Sequence, residues 1–346
     1  MKKSILLGFL CLAGIIIQAQ TVHDNELAIV YYMPQTQLCF DVEYEEVISQ
    51  PGPFAAYAKQ YLGATEIIKE PSRIFQLEKI HCRPQPMADY TRAYKVVAEN
   101  GIESQLLTLS RIGTLEGYNI AHHEHGNVRK EDIKHGPKTI DRSPNVLPLL
   151  EEHLNGKSVA QQAQGAAKLI YRIRENRMYL IGGEVEKVPA DGVAMKLVLD
   201  ELDKQERQLV ELFVGKREVI KHREVLTYIP VKSEEVEIGY FSDKEGLTSS
   251  GNGEPILLNV TAKRQMKGNT HVENDKKAPA PSQIYYNLAG SANIKIDYLN
   301  ETLLEKHVPV AQFGIAVPLS RTLFTKGDLP HIYFDIQTGG IKSIEK

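Results

Sequence analysis

His122, His123, His125 and His135 put four of the chain's 11 histidines into the sixteen residues from Ala121 to Gly136, AHHEHGNVRKEDIKHG. Imidazoles so close together are the raw material of a zinc site. His123 and His125 alternate as two ligands on a strand would. A zinc site also needs a fixed frame of three or four ligands, each oriented by a second layer of hydrogen bonds. Here the flanks are Gly126, Asn127, a run of charge and Gly136-Pro137, and no His-Glu-x-x-His order occurs. The stretch therefore reads as a solvated loop whose histidines are weak metal candidates, and no metal or cofactor is implied.

Two cysteines, Cys39 and Cys82, lie beyond the N-terminal apolar run. A disulfide between them and a pair of free thiols are both compatible with the sequence, because bridging depends on geometry. His81 beside Cys82 resembles a nucleophile and its base, but strand neighbours point to opposite faces, which argues against contact. Nucleophile elbows, phosphate loops, paired-cysteine zinc signatures and dinucleotide fingerprints are missing from the sequence. Asp41 and Glu43 pair on a strand face, as expected in a chain with 44 acidic residues. Trp is absent and Tyr numbers 16, so tyrosines would have to form any aromatic platform for a glycan. Tyr285 and Tyr286, on opposite strand faces, offer one contact candidate.

The most specific polar residue is Glu206. A helix predicted from about Gly192 to Phe213 carries Met195, Leu199, Leu202, Glu206, Leu209 and Phe213 at alternating steps of four and three. A preceding helix opens at Ser158, with Gln161 completing a capping box. Its stripe is Val159, Ala163, Ala166, Ala167, Ile170 and Ile173. The two stripes predict an antiparallel hairpin turning through GGEVEKVPADG. A lone carboxylate in the seam is costly, so Arg174 or Arg177 is expected to meet Glu206, with Lys168 and Arg172 as rivals nearer in level.

Strand patterns flank these helices. LAIVYYM, TQLCFDVEYEEVI, RIFQLEKIHC, RAYKVVA, LLTLS and TLEGYNI precede them, with PGPFAAYAKQYLG as a short helix between Pro53 and Gly63. EVLTYIPV, EVEIGYF, PILLNVTA, QIYYNLA, NIKIDYL, VPVAQFGIAV and PHIYFDIQ follow. In TQLCFDVEY, Leu38, Phe40, Val42 and Tyr44 share one face, and Cys39, Asp41 and Glu43 the other. SQLLTLSRIGTLEGYNI and PHIYFDIQTGGIKSIEK both read as strand, glycine turn, strand. The expected fold class is α+β, with two related, sandwich-like β-rich modules flanking the helical hairpin. The predicted division is a signal peptide at 1–19, a β-rich module with one short helix at 20–121, and a polar histidine-rich linker at 122–157. The hairpin follows at 158–215, and a second β-rich module fills 216–346, interrupted by a polar loop at 263–282.

MKKSILLGFLCLAGIIIQAQ has the charged, apolar, small-residue order of a secretory signal, with cleavage expected near Ala19. The apolar run is too short to span a bilayer, and Leu10 before Cys11 is bulky for lipoprotein processing. Cleavage would leave 39 basic and 44 acidic residues, a net charge of −5, with no electrostatic footprint for nucleic acid. The expected location is therefore exported, in the periplasm or associated with the outer membrane.

YMPQTQLCFDVEYEEVISQPGPFAAYAKQYLG and RENRMYLIGGEVEKVPADGVAMKLVLDELDKQERQLVELFVG resemble an uncharacterised family of exported proteins of about this length from Gram-negative gut anaerobes. PGPFAAYAKQYLG, Arg174, Arg177, GGEVEKVP, Glu206 and LFVG carry the resemblance. It implies export and length and no chemistry. Two function classes follow from the residues. The favoured one is a non-enzymatic envelope protein that binds a partner, protein or glycan, or has a structural role. The alternative is a glycan-binding protein or hydrolase whose site is assembled from residues distant in sequence.

Overall fold

The computed structural model describes residues 28–97, 106–120, 158–184, 191–249, 251–264, 283–320, 323 and 329–345. The predicted signal peptide at 1–19, the four clustered histidines and nearly all of the predicted loop at 263–282 lie outside these residues. The described chain is mostly β, in three antiparallel sheets with few helices.

Strands β1 (Ala28–Gln50) and β2 (Ser72–Val97) pair along almost their whole length. Strand β5 (Lys216–Tyr228) joins the other side of β1 from Leu38 to Gln50. The second sheet has the order β10-β9-β8-β6-β7. Its strands are β6 (Glu234–Ser242), β7 (Gly246–Thr248), β8 (Glu254–Arg264), β9 (Tyr285–Tyr298) and β10 (Glu301–Pro318). These two sheets face each other. The alternation read in TQLCFDVEY is the cause: Leu38, Phe40, Val42 and Tyr44 meet Ile256, Leu258 and Val260 of β8 and Ile294 and Ile296 of β9 in one core. Lys295 and Asp297, on the other face of β9, form an ion pair instead.

A second core lies at the far end of β1. A register shift between Tyr32 and Met33 marks the crossing. There Tyr31, Met33 and Val96 pack with Leu115, Tyr118, Ile332 and Phe334. The last four belong to a third sheet, made of β3 (Leu107–Leu109), β4 (Leu115–Tyr118), β11 (His331–Phe334) and β12 (Ile341–Glu345) in the order β12-β11-β4-β3. Tyr31 is fully buried, donating its hydroxyl to the Tyr285 carbonyl at 3.0 Å and accepting from the Tyr285 amide at 2.7 Å.

The third core holds the helices. A short 3-10 turn (Ala55–Tyr57) runs into α1 (Ala58–Leu62), which ends at Gly63 with φ 66°. Helix α2 (Val159–Gly182) begins with the predicted Ser158–Gln161 capping box, and α3 (Gly192–Val214) is capped by Asp191. Ala163, Ala166, Ala167 and Ile170 of α2 and Leu209, Leu212 and Phe213 of α3 bury themselves on Phe54 and Ala58. Gly52 permits this docking. A Cβ there would stand 2.2 Å from the Leu212 carbonyl oxygen, and the Phe54 amide donates to that same oxygen at 2.8 Å.

Two expectations are corrected. The β-rich stretches before and after the helices are not separate modules, because β5 completes the sheet of β1 and β4 pairs with β11. Both predicted hairpins form, but they combine into one sheet, with the second strand of one and the first of the other at its centre. Several predicted strands also fuse. LAIVYYM and TQLCFDVEYEEVI are one strand across Pro34, and β2 runs through Pro84 and Pro86. Proline lacks the ladder donor, but among the described residues β2 is the edge strand of its sheet, so it tolerates both prolines.

Candidate functional site

Where α2 and α3 leave the body, Glu206 lies in the seam as the periodicity predicts, its side chain 15% exposed. Arg174 donates through Nε to Glu206 Oε1 at 2.7 Å. Arg177 reaches Glu206 Oε2, also at 2.7 Å, and Asp203 as well. Both candidate arginines therefore meet Glu206, and Lys168 and Arg172 are not needed. Residues later in α2 meet residues earlier in α3, so the two helices run antiparallel. Helical side chains lean toward their helix's N-terminus, so both arginines reach back along α2. That lean makes up the offset that helix rise alone would leave. Burial pushes the Glu206 carboxyl up, but the hydrogen bonds from Arg174 and Arg177 outweigh it and hold it below the ordinary value.

Arg174, Arg177, Asp203, Glu206, Arg207 and Val210 line a cleft of about 500 Å³. Arg207 ties its Nε to the Asp203 carbonyl at 3.3 Å, and Arg174 lies over the Tyr171 ring. The Arg177 Nε is buried without a hydrogen-bond partner. Chemically the cleft is a clamp. Its Glu206 carboxylate is held ionised by two arginines, the reverse of the raised value that a general acid at neutral pH requires.

The same pattern recurs at two sites that sequence reasoning did not assemble. Asp41 is fully buried beneath Arg83 and Arg223. The Arg83 hydrogen bonds at 2.6 and 3.2 Å are the main reason its carboxyl is lowered, against the effect of burial. Glu46 receives Arg73 Nε at 2.6 Å and lies 2.7 Å from His222 Nε2. Burial would raise Glu46, but these partners bring it below its usual range. His222 stacks on Tyr44, whose hydroxyl donates to Glu224 at 2.5 Å. The polar face of β1 that carries Asp41 was legible, but the cations that meet Asp41 and Glu46 were not, because they are diagonal neighbours on β2 and β5.

Both cysteines are free thiols. In register, Phe40 faces Cys82 and Cys39 faces Arg83. Cys82 therefore joins the core with Phe40, while Cys39 is on the opposite face beside Gln85. The disulfide left open by the sequence is thus not made. Burial pushes the Cys82 thiol up to about 11 and raises Cys39 too, which makes both poor nucleophiles. His81 is exposed while Cys82 is buried, as strand alternation requires. Tyr285 is buried and Tyr286 packs on the second core, so neither offers the aromatic contact considered above. Among the described residues, no three His, Cys, Asp or Glu side chains converge to hold a metal ion, and no helix is long and apolar enough to cross a membrane.

A family model described as a domain of unknown function (DUF4831) matches residues 28–342. No curated protein matches the chain, and no solved structure does.

Proposed function

The chain belongs to the DUF4831 family, and on that premise we propose that it is an exported cell-envelope protein that works by binding a partner through its helical arm. The observation that carries this reading is the arm itself. Among the described residues of the arm, only those at its base are buried, against the turn and helix that follow β1. Beyond Ile170 on one helix and before Leu209 on the other, apolar side chains stand in solvent: Met178 is 73% exposed, Ile181 68%, Val193 81% and Leu197 71%. Clustered exposed apolar side chains mark interaction sites.

Two further observations support binding over catalysis. Asp41, Glu46 and Glu206 are each neutralised by cations that join neighbouring strands or helices, so their chemistry goes into holding elements together. The β body gives the arm a rigid base, with Phe54 and Phe213 in ring contact at 5.4 Å. Export rests on the N-terminal sequence, and the proposed location is the periplasm or in association with the outer membrane.

Glycan binding is the second reading, and one observation favours it. Tyr90 is 73% exposed and stands edge-on to Tyr32 at 5.0 Å, a small aromatic platform.

The test is crosslinking in the native envelope from a photoreactive residue at Met178, with a matching probe at Tyr90. A defined protein captured from Met178 supports the arm reading. Capture from Tyr90 of polysaccharide alone favours the glycan reading. An intact Met1 terminus on the chain from the envelope fraction would remove the cleaved signal.

A further inference from the structure

The cleft on the arm does not close its own charge. Arg174, Arg177 and Arg207 line it together with Asp203, Glu206 and Val210, three guanidiniums against two carboxylates. The comparable cluster of the β body is balanced, with Arg83 and Arg223 set against Asp41 and Glu43. One positive charge is therefore left over in the cleft.

The surplus lies at Arg207. Arg177 joins Asp203 to Glu206, and Arg174 takes the other Glu206 oxygen, so both carboxylates are already engaged from α2. Arg207 stands on α3. Its Nε donates to the Asp203 carbonyl at 3.3 Å, which ties the side chain back along its own helix. Among the described residues Arg207 makes no ion pair, and the two terminal nitrogens of its fork have no hydrogen-bond partner. A second donor in the same cleft is idle, because Arg177 Nε is buried without a partner.

This arrangement suits an incoming carboxylate. A guanidinium fork presents parallel N–H donors that match the two oxygens of a planar carboxylate, and such charge-assisted pairs are the strong ones. Glu206 and Asp203 are already compensated by Arg174 and Arg177, so the newcomer meets the free charge of Arg207. A carboxylate brings the cleft to neutrality, whereas a phosphate group, at about −2, overshoots it. The volume of about 500 Å³ takes a whole side chain, within the roughly 300–1,000 Å³ of pockets that hold small ligands.

We propose that this cleft anchors an acidic side chain of the arm's protein partner, an Asp or Glu whose carboxylate the fork of Arg207 receives. The inference rests on the reading of the arm as the binding element, and it gives the partner a chemistry, an acidic segment. Met178, 73% exposed, lies four residues beyond Arg174. A segment in contact with Met178 reaches the cleft about 6 Å further along the helix, at ~1.5 Å per residue. An acidic glycan would offer the same carboxylate, but the apolar Met178 beside the cleft favours a polypeptide.

The experiment is calorimetric titration of the full chain with end-blocked tetraglutamate and tetraglutamine peptides, and with oligogalacturonate and inorganic phosphate as the other anions. The expected result is binding of tetraglutamate and none of tetraglutamine. Arg207→Gln should weaken that binding at least about tenfold. Arg207→Lys, which keeps the charge and loses the fork, should lose less. Arg172→Gln removes the same charge from the arm outside the cleft and should change nothing. The side-chain nitrogen resonance of Arg177 Nε should shift with tetraglutamate. Unchanged circular dichroism and melting show that the variants fold. Equal tetraglutamate binding by the parent and Arg207→Gln, an equal loss in Arg172→Gln, or tighter binding of phosphate than of tetraglutamate overturns the proposal. Binding of oligogalacturonate through Arg207 without binding of tetraglutamate overturns it in favour of an acidic glycan. If no anion binds and Met178 still captures a defined envelope protein, the carboxylate anchor fails and the arm reading stands. If tetraglutamate binds through Arg207 but Met178 captures no protein, the arm reading fails, the protein partner fails with it, and only the cleft's affinity for carboxylates remains.

Discussion

Asp41 has no exposed surface, yet it carries a charge, and two arginines explain how. Its carboxyl lies below the ordinary value when folded and at that value, near 4, when unfolded. The folded state therefore binds fewer protons at this group. Its contribution is complete above about pH 4 and is lost as pH falls through the folded value. Glu206 and Glu46 shift the same way. Acid unfolding of Asp41→Asn should therefore be less steep below pH 4 than that of the parent, which a melting series against pH will show. Glu206→Ala should cost about 1–3 kcal/mol, the range for stranding a charged partner. Glu206→Leu should cost less, because Arg174, 43% exposed, can turn to water; denaturant titration measures both. Burial of Cys82 and Cys39 predicts that thiol reagents label neither at neutral pH until the chain unfolds, and that mass spectrometry finds no bridge. At this scale the sequence was most informative where a residue broke a pattern. Glu206 interrupts an apolar seam, and that conflict named its partners. Asp41 interrupts nothing, since it sits on an expected polar face, so its burial was invisible.

The helical elements were legible because their signals are local. The capping box at Ser158, the glycine after α1 and the spacing of the apolar stripes all lie within a turn or two of the residues they govern. What periodicity did not show was how the arm is seated. The stretch PGPFAAYAKQYLG reads as a short helix, and in the fold it is the socket for two long ones. Gly52 is the tightest point of that socket. Gly52→Ala should push the loop off the end of α3, breaking the Phe54 amide contact. We expect a loss of about 2–4 kcal/mol, the scale of a badly strained core substitution. Hydrogen exchange should show the loss concentrated in α2 and α3, with the two facing β-sheets retaining most of their protection. Strand boundaries were misplaced at Pro34, Pro84 and Pro86 because proline punctuates most strands, and edge position, which excuses it, is a property of the sheet.

Across the whole molecule the strands refuse the order of the chain. β1 and β5, some 180 residues apart, lie side by side, and β4 is paired to β11 near the C-terminus. No periodicity carries information of that range, which is why two modules were read where one interlocked body exists. Removing residues 329–346 should expose the core formed by Tyr31, Tyr118, Ile332 and Phe334. The truncated chain should lose its cooperative melting transition, measurable by calorimetry. The pairing of β4 with β11 also sets a timetable. A ribosome delivers residue 118 long before residue 331, so for most of its synthesis the chain holds a sheet edge whose neighbour does not yet exist. Contacts this distant close slowly. A protein built this way cannot close that sheet before residue 331 is made, a delay that would suit the proposed export, in which a polypeptide is threaded unfolded through a narrow pore.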